Sequence, residues 1–353
     1  MSRYPFPVPY GWFQVAWPEE LVIGQAKAAF YFDKHLVIWR DDEGTAHVQD
    51  AFCPHLGAHL GHGGKVEGCQ IVCPFHGWKF DAEGCNTEIP YADRPNKRDK
   101  IRTYPTVERN GIILAWYHPN NEPPLWDVPE FDEFGTSDDY KLVTTREWRI
   151  DAAWQELAEN GVDSAHFRYV HNTAEVPVLE LYEPNGPLAK MRSAQKFVTP
   201  QGVVEGRIDV DTFGPGLTIT RFSGFVDLFL LGCNTPIDAD RCELHFTFAV
   251  RNSGDDAFTT TVGEAFVSEV SRQVDEDRAI WHHKAHIVRP ALAMSDGPFM
   301  KFRKWASQFY VDEAADYATP EETGIYPPPV WEDRMDEAPA KATASARLSR
   351  EHD

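Results

Sequence analysis

The sequence predicts an α+β protein: an N-terminal all-β domain followed by a C-terminal antiparallel sheet with flanking helices. Three observations carry this reading. Residues 11–116 hold short apolar or alternating runs rich in Val, Ile, Phe and Trp, separated by turn pairs such as Asn110-Gly111. Residues 118–139 contain four prolines and a run of acids without periodicity, which reads as a connection between domains. Beyond them, longer alternating runs give way to two segments of helical spacing. The expected division is a first domain over 1–120, a linker over 121–141, a second domain over 142–330 and a flexible tail over 331–353.

In order along the chain, GWFQVAW, AKAAFYF, HLVIWR, AHVQDAF, CQIVCP, GWKFD and GIILAWY are the expected hairpin strands of the first domain. KLVTTREWRI reads as a strand, and residues 151–171 as a helix with Asp151 at its N-cap and Ala152, Leu157 and Ala158 on its apolar face. KMRSAQKFVT, GVVEGRIDVDTF, LTITRFSGF, VDLFLLGC, RCELHFTFAV and FTTTVGEAF read as strands of one antiparallel sheet. Residues 264–288 return to helical spacing, with Phe266, Val270, Val274 and Ile280 or Trp281 in register, and a shorter helix covers 297–311. The tail from Trp331 is charged, rich in Ala and Ser, and almost without large apolar residues.

Composition narrows the function. A length of 353 residues accommodates two cores. A formal net charge of -21 argues against nucleic acid as a partner, because phosphate binding needs a basic footprint. No segment resembles a cleavable leader or approaches a membrane span, and the six cysteines suggest no even disulfide framework, so a reducing cytoplasm is expected.

Residues 53–85 offer the strongest chemistry. Cys53 and His55 lie one residue apart, and Cys73 and His76 lie two apart after a glycine-rich loop. Soft thiolates suit iron-sulfur chemistry, and imidazoles in place of two of them leave a cluster less negative. Structural zinc sites use the same residue types but usually pair like with like, whereas here each loop carries one of each. The expected cofactor is therefore a [2Fe-2S] cluster held by Cys53, His55, Cys73 and His76, and residues 53–78 resemble the Rieske motif. Leu56, Gly57, Ala58 and Phe75 stand where respiratory members of that class carry a second pair of cysteines, so the likeness is to the oxygenase and ferredoxin kind. Cys69 and Cys85 read as packed or free thiols. Lys65, Lys79, Arg94, Lys97, Arg98 and Lys100 cluster nearby in sequence and offer either a docking face for an acidic electron donor or a solvated rim.

A second centre is suggested by Asp163, His166 and His171. On one continuous helix His171 would lie about 140° round from His166, so both imidazoles reach one metal only if the helix bulges or ends between them. Two imidazoles and a carboxylate form the facial triad of non-haem Fe(II) enzymes. Asp277 is the expected carboxylate, with Asp275 and Glu276 as rivals and Asp312 as a more distant candidate.

The whole arrangement resembles the α subunit of Rieske non-haem iron oxygenases over about residues 10–312. In that family D-x2-H-x4-H supplies two iron histidines, matching His166 and His171; a later helical aspartate matches Asp277, and the aspartate matching Asp163 bridges the two centres of neighbouring subunits. The pieces TEIPYA, ERNGIILAW, GVDSAHFRYVH, EDRAIWHHK and GPFMKFRKWASQFYVD are similar to the branch containing 3-ketosteroid 9α-hydroxylase and the cholesterol 7-desaturases. The resemblance implies a helix-grip-like catalytic domain, mononuclear Fe(II), and a head-to-tail homotrimer. It also implies electrons from an NAD(P)H-dependent ferredoxin reductase or ferredoxin, and hydroxylation of a steroid-like apolar substrate. Ring dioxygenation, desaturation and demethylation share the ligand set, and an iron-sulfur electron-transfer protein is the non-enzymatic alternative. PVLELY, FSGFVDLFLL and the helix after Gly297 are candidate walls of an apolar pocket.

Overall fold

Alternation of side chains across extended backbone decides how the layers of this protein stack. In the strand Cys242–Arg251, Cys242, Leu244 and Phe248 enter one apolar core, and Ala249 enters another on the opposite face. The neighbouring strand Leu228–Pro236 repeats the pattern, with Leu230 on the first side and Phe229, Leu231 and Cys233 on the second. Both faces of this sheet are therefore covered.

The structure, a computed structural model, describes residues 3–311 apart from 136, 200, 201 and 225, together with residues 325–326. The N-terminal half contains β1 (Gly11–Ala16), β2 (Ala26–Tyr31), β3 (Lys34–Arg40), β4 (Ala46–Asp50), β5 (Lys65–Glu67), β6 (Gln70–Val72), β7 (Lys79–Phe80), β8 (Asn86–Glu88), β9 (Thr103–Tyr104), β10 (Thr106–Arg109) and β11 (Ile112–Tyr117). They form three small antiparallel sheets ordered β1-β11-β10, β2-β3-β4-β9 and β5-β6-β7-β8.

The second half begins with β12 (Tyr140–Ile150), α1 (Trp154–Ala158) and α2 (Ala165–Tyr169). Six strands follow as successive hairpins: β13 (Val178–Asn185), β14 (Leu188–Thr199), β15 (Gly202–Phe213), β16 (Thr218–Ser223), β17 (Leu228–Pro236) and β18 (Cys242–Arg251). β12 closes the far edge, so the seven strands run β12-β18-β17-β16-β15-β14-β13. The long helix α3 (Asp256–Trp281) lies against β12 and β18, and β19 (His286–Ile287), α4 (Phe299–Ala306) and β20 (Ile325–Tyr326) complete the fold. The α+β architecture expected from the sequence, a β domain followed by a helix-flanked antiparallel sheet, is the one observed.

One face of the large sheet packs Trp148, Ile150, Leu244 and Phe248 against Phe266, Val270, Val274 and Trp281 of α3. The other packs Ile219, Leu231 and Ala249 against Trp12, Leu114 and Trp116 of the first half. Val128, Phe131 and Phe134 join that second core, so the proline-rich connection is pinned down rather than loose.

The structure departs from the sequence expectations in several places. FTTTVGEAF is not a strand but part of α3, which starts eight residues earlier in the chain than the helical spacing was expected to begin, at Asp256. Each threonine in a helix costs about 0.7 kcal/mol at most, while each large apolar side chain buried by α3 contributes about 1.5–3 kcal/mol, so packing decides. Thr259, Thr260 and Thr261 also turn their hydroxyls onto carbonyls one turn back, at 2.7, 2.8 and 2.9 Å. Asp255 caps the helix by accepting from the Phe258 amide at 3.1 Å. At its other end α3 stops at Trp281 rather than continuing to residue 288, because His286 and Ile287 pair with Tyr326 and Ile325.

Residues 151–171 are not one helix. α1 gives way to a 3-10 turn over Glu159–Val162, Asp163 is extended, and α2 ends at Tyr169. The N-cap position is Ala153, without a side-chain cap bond, instead of Asp151. PVLELYEPNG contributes a strand, β13, that the sequence did not announce. Asp312 and the tail from residue 331 lie outside the described residues.

Candidate metal centres and substrate cavity

The two ligand loops of the N-terminal half are built alike. In CPHLG the Gly57 amide donates to the Cys53 carbonyl at 2.9 Å, and in CPFHG the Gly77 amide donates to the Cys73 carbonyl at 3.1 Å. Both glycines have φ above +70°, which only a residue without Cβ adopts cheaply. The Cys53 amide in turn donates to the Ala58 carbonyl at 2.9 Å and the Cys73 amide to the Trp78 carbonyl at 2.8 Å. The loops are thus closed at both ends and present their side chains together.

Cys53 and Cys73 are buried, and the rings of His55 and His76 lie 4.7 Å apart. Trp78 stacks on His55 at 4.5 Å and donates its indole N–H to the Tyr91 hydroxyl at 2.8 Å, which fixes the imidazole plane. The donor set fits a [2Fe-2S] cluster on two observations. Nδ1 of His76 is buried without a hydrogen-bond partner among the described residues, as an unligated metal-binding nitrogen would be. Burial and the neighbouring Cys73 push the Cys53 thiol up to about 11, although the His55 and Leu56 amides point at its sulfur; a cationic group would relieve that strain. Cys69 is exposed and Cys85 half-buried, and both are free thiols.

The second centre assembles from the broken helix and α3. Because α2 ends between them, His166 and His171 approach with ring centroids 5.1 Å apart, and one donor atom from each of His166, His171 and Asp277 lies within 4.8 Å of the others. Of the two routes to convergence expected from the spacing, a bulge or a helix end, the structure takes the second. Asp277 is buried on α3 and stands 3.3 Å from Nε2 of His171. Asp275 is exposed and turned toward Arg278, and Ile280 points outward while Trp281 is buried, so the inward face of α3 runs through Val274, Asp277 and Trp281.

Both imidazoles are oriented from behind. The carbonyl of Asp163 lies 2.5 Å from Nδ1 of His166; a carbonyl only accepts, so the proton sits on Nδ1 and the Nε2 lone pair faces the site. Nδ1 of His171 lies 2.9 Å from the carboxylate of Glu276. Burial lowers the pKa of His166, favouring the neutral ligating form. His171 is pulled the other way: burial would lower its pKa, but the Asp277 and Glu276 carboxylates raise it. Asn160, which sequence reasoning missed, donates to Oδ2 of Asp277 at 3.0 Å and lies 3.2 Å from Nε2 of His166. Two imidazoles and one carboxylate with no thiolate fit a non-haem iron rather than a cluster.

Oδ1 of Asp163 accepts from the Ala165 and His166 amides at 3.0 and 3.3 Å, which starts α2, while its Oδ2 stays 3.9 Å from the His166 ring. A cavity of about 260 Å³ opens beside the triad. Tyr182, Phe222, Leu230, Phe302 and Trp305 line it, drawn from the three segments expected to wall an apolar pocket.

A small β domain with two matched Cys/His loops, joined to a helix-gripped sheet carrying a two-histidine, one-carboxylate site, defines the Rieske-type oxygenases. Comparison with known proteins agrees. Residues 11–105 match the Rieske [2Fe-2S] domain and residues 115–310 match the 3-Ketosteroid 9alpha-hydroxylase C-terminal domain. The oxygenase component of 3-ketosteroid-9-alpha-monooxygenase from Rhodococcus rhodochrous is 30% identical over 318 residues, spanning 86% of this chain and 80% of that protein. Cholesterol 7-desaturase from Bombyx mori is 30% identical over 340 residues, spanning 90% and 72%. Among solved structures, dicamba monooxygenase bound to dicamba has a TM-score of 0.65 at 20% identity, covering 85% of this chain and 96% of its own. The Pseudomonas putida CBB5 NdmA QL mutant with caffeine reaches 0.68 at 20% identity, covering 84% and 89%. The chain belongs to the 3-ketosteroid 9α-hydroxylase family of Rieske oxygenases. It is a Rieske non-haem iron monooxygenase, the terminal oxygenase component of its system, with a [2Fe-2S] cluster and a mononuclear iron expected in the catalytic domain. Among the described residues no helix is long and apolar enough to cross a membrane.

Proposed function

We propose that this oxygenase hydroxylates a saturated carbon of a steroid-like, fused apolar substrate. The convergence of His166, His171 and Asp277 beside an apolar cavity carries the reading. In it, Cys53, Cys73, His55 and His76 hold the cluster, and His166, His171 and Asp277 hold the mononuclear iron. When bound, the metals supply electron storage and dioxygen activation, so that one oxygen atom enters the C–H bond and the other leaves as water.

The chain's own part is orientation and exclusion of water. Glu276 and the Asp163 carbonyl hold the two imidazoles with their Nε2 atoms facing inward. The apolar walls from Tyr182 to Trp305 position the substrate and keep water from competing. Asp163 sits between the His166 ring and the surface, its Oδ2 3.9 Å from that ring, where its carboxylate would bridge a cluster and this centre once both metals are bound.

A head-to-tail homotrimer in the cytoplasm suits this role. Phe52, Leu56, Phe75 and Tyr91 are exposed around the cluster loops, and Tyr169 is 80% exposed next to the histidine pair, which supports contact between the two regions in neighbouring subunits. An NAD(P)H-dependent ferredoxin reductase or ferredoxin is the electron donor. Lys65, Arg94, Arg98 and Lys100 are exposed and available to it, whereas Lys97 donates to the Asn86 carbonyl at 3.2 Å and Lys79 is taken up by Glu67 and Glu88 at 3.1 and 3.0 Å.

Sterol desaturation is the second reading, favoured by the equal identity to the silkworm desaturase. The deciding experiment is turnover of a panel of 3-ketosteroids and sterols with a generic reductase, read by product mass. Gain of one oxygen supports hydroxylation, loss of two hydrogens supports desaturation, and a cis-diol overturns both.

A further inference from the structure

A second group of metal-ligating side chains lies away from both centres. β12 and β18 pair so that Glu147 stands directly opposite His245, and Arg149 opposite Glu243. Residues two apart on a strand share a face, so Glu147, Glu243 and His245 project from the same side of the sheet. That side is the one turned toward the N-terminal half, since Ala249 on the same face joins Trp12 and Trp116. One donor atom from each of the three lies within 4.8 Å of the others. They open on a cavity of about 580 Å³, whose opposite wall includes Trp17, Lys27 and Tyr31.

Pairing within the group is incomplete. Glu243 accepts from the Tyr31 hydroxyl and lies 3.3 Å from Nε of Arg149 and 3.4 Å from Nε2 of His245. Glu147 has no hydrogen bond or ion pair among the described residues, and Lys27 across the cavity is held by Glu20 at 2.8 Å. His245 is 3% exposed, and its Nδ1 is buried with no hydrogen-bond partner among the described residues. With the Arg149 guanidinium on Glu243, the unpartnered imidazole nitrogen and the unpartnered Glu147 carboxylate still leave room for a cation at this spot.

We propose that Glu147, Glu243 and His245 bind a divalent transition ion of the zinc class. One imidazole with two carboxylates suits Zn²⁺ and its first-row neighbours, whereas Mg²⁺ and Ca²⁺ prefer oxygen alone. The ion neutralises the two facing carboxylates and ties β12 and β18 to Tyr31 of β2, joining the two halves of the chain through one point. This assignment stands apart from the oxygenase reading and involves none of its residues.

The test uses holoenzyme carrying its cluster and iron, dialysed against Zn²⁺ and then analysed for zinc and iron by mass spectrometry. The expected result is about one zinc per chain with no iron lost, and loss of that zinc in both Glu147→Gln and His245→Asn while the cluster absorption persists. Three results overturn the site: no zinc retained by the wild type, zinc gained only as iron is lost, or the same zinc in the variants. If one variant fails to fold, shown by loss of the cluster colour, the other reads the site from the opposite strand. Wild-type protein adds an independent reading, because a bound ion raises the unfolding midpoint with zinc concentration, and an unchanged midpoint counts against the proposal.

Discussion

Oε2 of Glu276 lies 2.9 Å from Nδ1 of His171, while Oδ1 of Asp277, the next residue on α3, lies 3.3 Å from the Nε2 of the same ring. Consecutive helix residues point about 100° apart, so one turn of α3 holds the imidazole from behind and offers a carboxylate in front. Glu276 is itself held by Arg272, which also pairs with Glu269 at 2.6 Å. Asp277 and Glu276 were rival candidates in the sequence; the structure gives them different positions around one ring.

Replacing Glu276 with Ala is expected to weaken iron retention and turnover by about ten- to a hundredfold, the usual effect of removing a carboxylate behind a ligating histidine. The cluster spectrum should be unchanged. Iron content after gel filtration, measured beside visible absorption, checks this; full iron and full turnover would count against an orienting role.

Asp163→Ala separates two tasks of one residue. The main-chain carbonyl orients His166, so the variant should keep both metals. Its carboxylate starts α2, and losing that cap costs about 1 kcal/mol. Coupled turnover should fall far more than the small loss of stability explains. A variant that turns over normally would remove Asp163 from the electron path.

Gly297→Ala tests how tightly the Asp163 segment is held. A Cβ at residue 297 would stand 1.7 Å from the Val162 carbonyl oxygen and 3.7 Å from Cα of Asp163. Main chain cannot swing aside as a side chain does, so the loss should reach or exceed the usual cost of overpacking, about 1–3 kcal/mol. The unfolding midpoint should drop and turnover with it, whereas an unchanged midpoint would mean that the loop yields freely.

Acid sensitivity should trace in part to Glu156. Burial alone would raise its pKa, but His286 at 2.5 Å and Lys284 at 2.8 Å outweigh it and hold the carboxyl at about 2, below the ordinary 4.5. A depressed folded-state pKa contributes stability that is complete above the unfolded value and fades as pH falls from about 4.5 toward 2. Denaturation curves of wild type and Glu156→Gln should therefore be far apart at neutral pH and converge in acid. Parallel curves across that range would exclude the ion cluster as the source.

The local part of the site was legible in the sequence. Cys53 with His55, and Cys73 with His76, sit on two five-residue loops of the same design, and the glycine ending each loop is visible as a residue type. Chemistry confined to a few consecutive residues depends on spacing and turn propensity, which a sequence displays. Strand alternation in Cys242–Arg251 was equally readable, because Cys242, Leu244, Phe246 and Phe248 on one face alternate with Glu243, His245 and Thr247 on the other.

Only the tertiary structure decided the rest. The threonines of 259–261 favour extended backbone locally, and they became helical because the core of α3 outweighs that preference. The break of residues 151–171 into α1, a 3-10 turn and a short α2, which lets His166 and His171 converge, was not announced by their helical spacing. The approach of Asp277 to His171, the Asn160 bridge, and the meeting of Glu147 with His245 across β12 and β18 all join residues far apart in the chain. Sequence alone determined which donors and which periodicities were present. Their convergence was settled by packing, because burial of apolar faces, not ligand chemistry, sets where each strand and helix comes to rest.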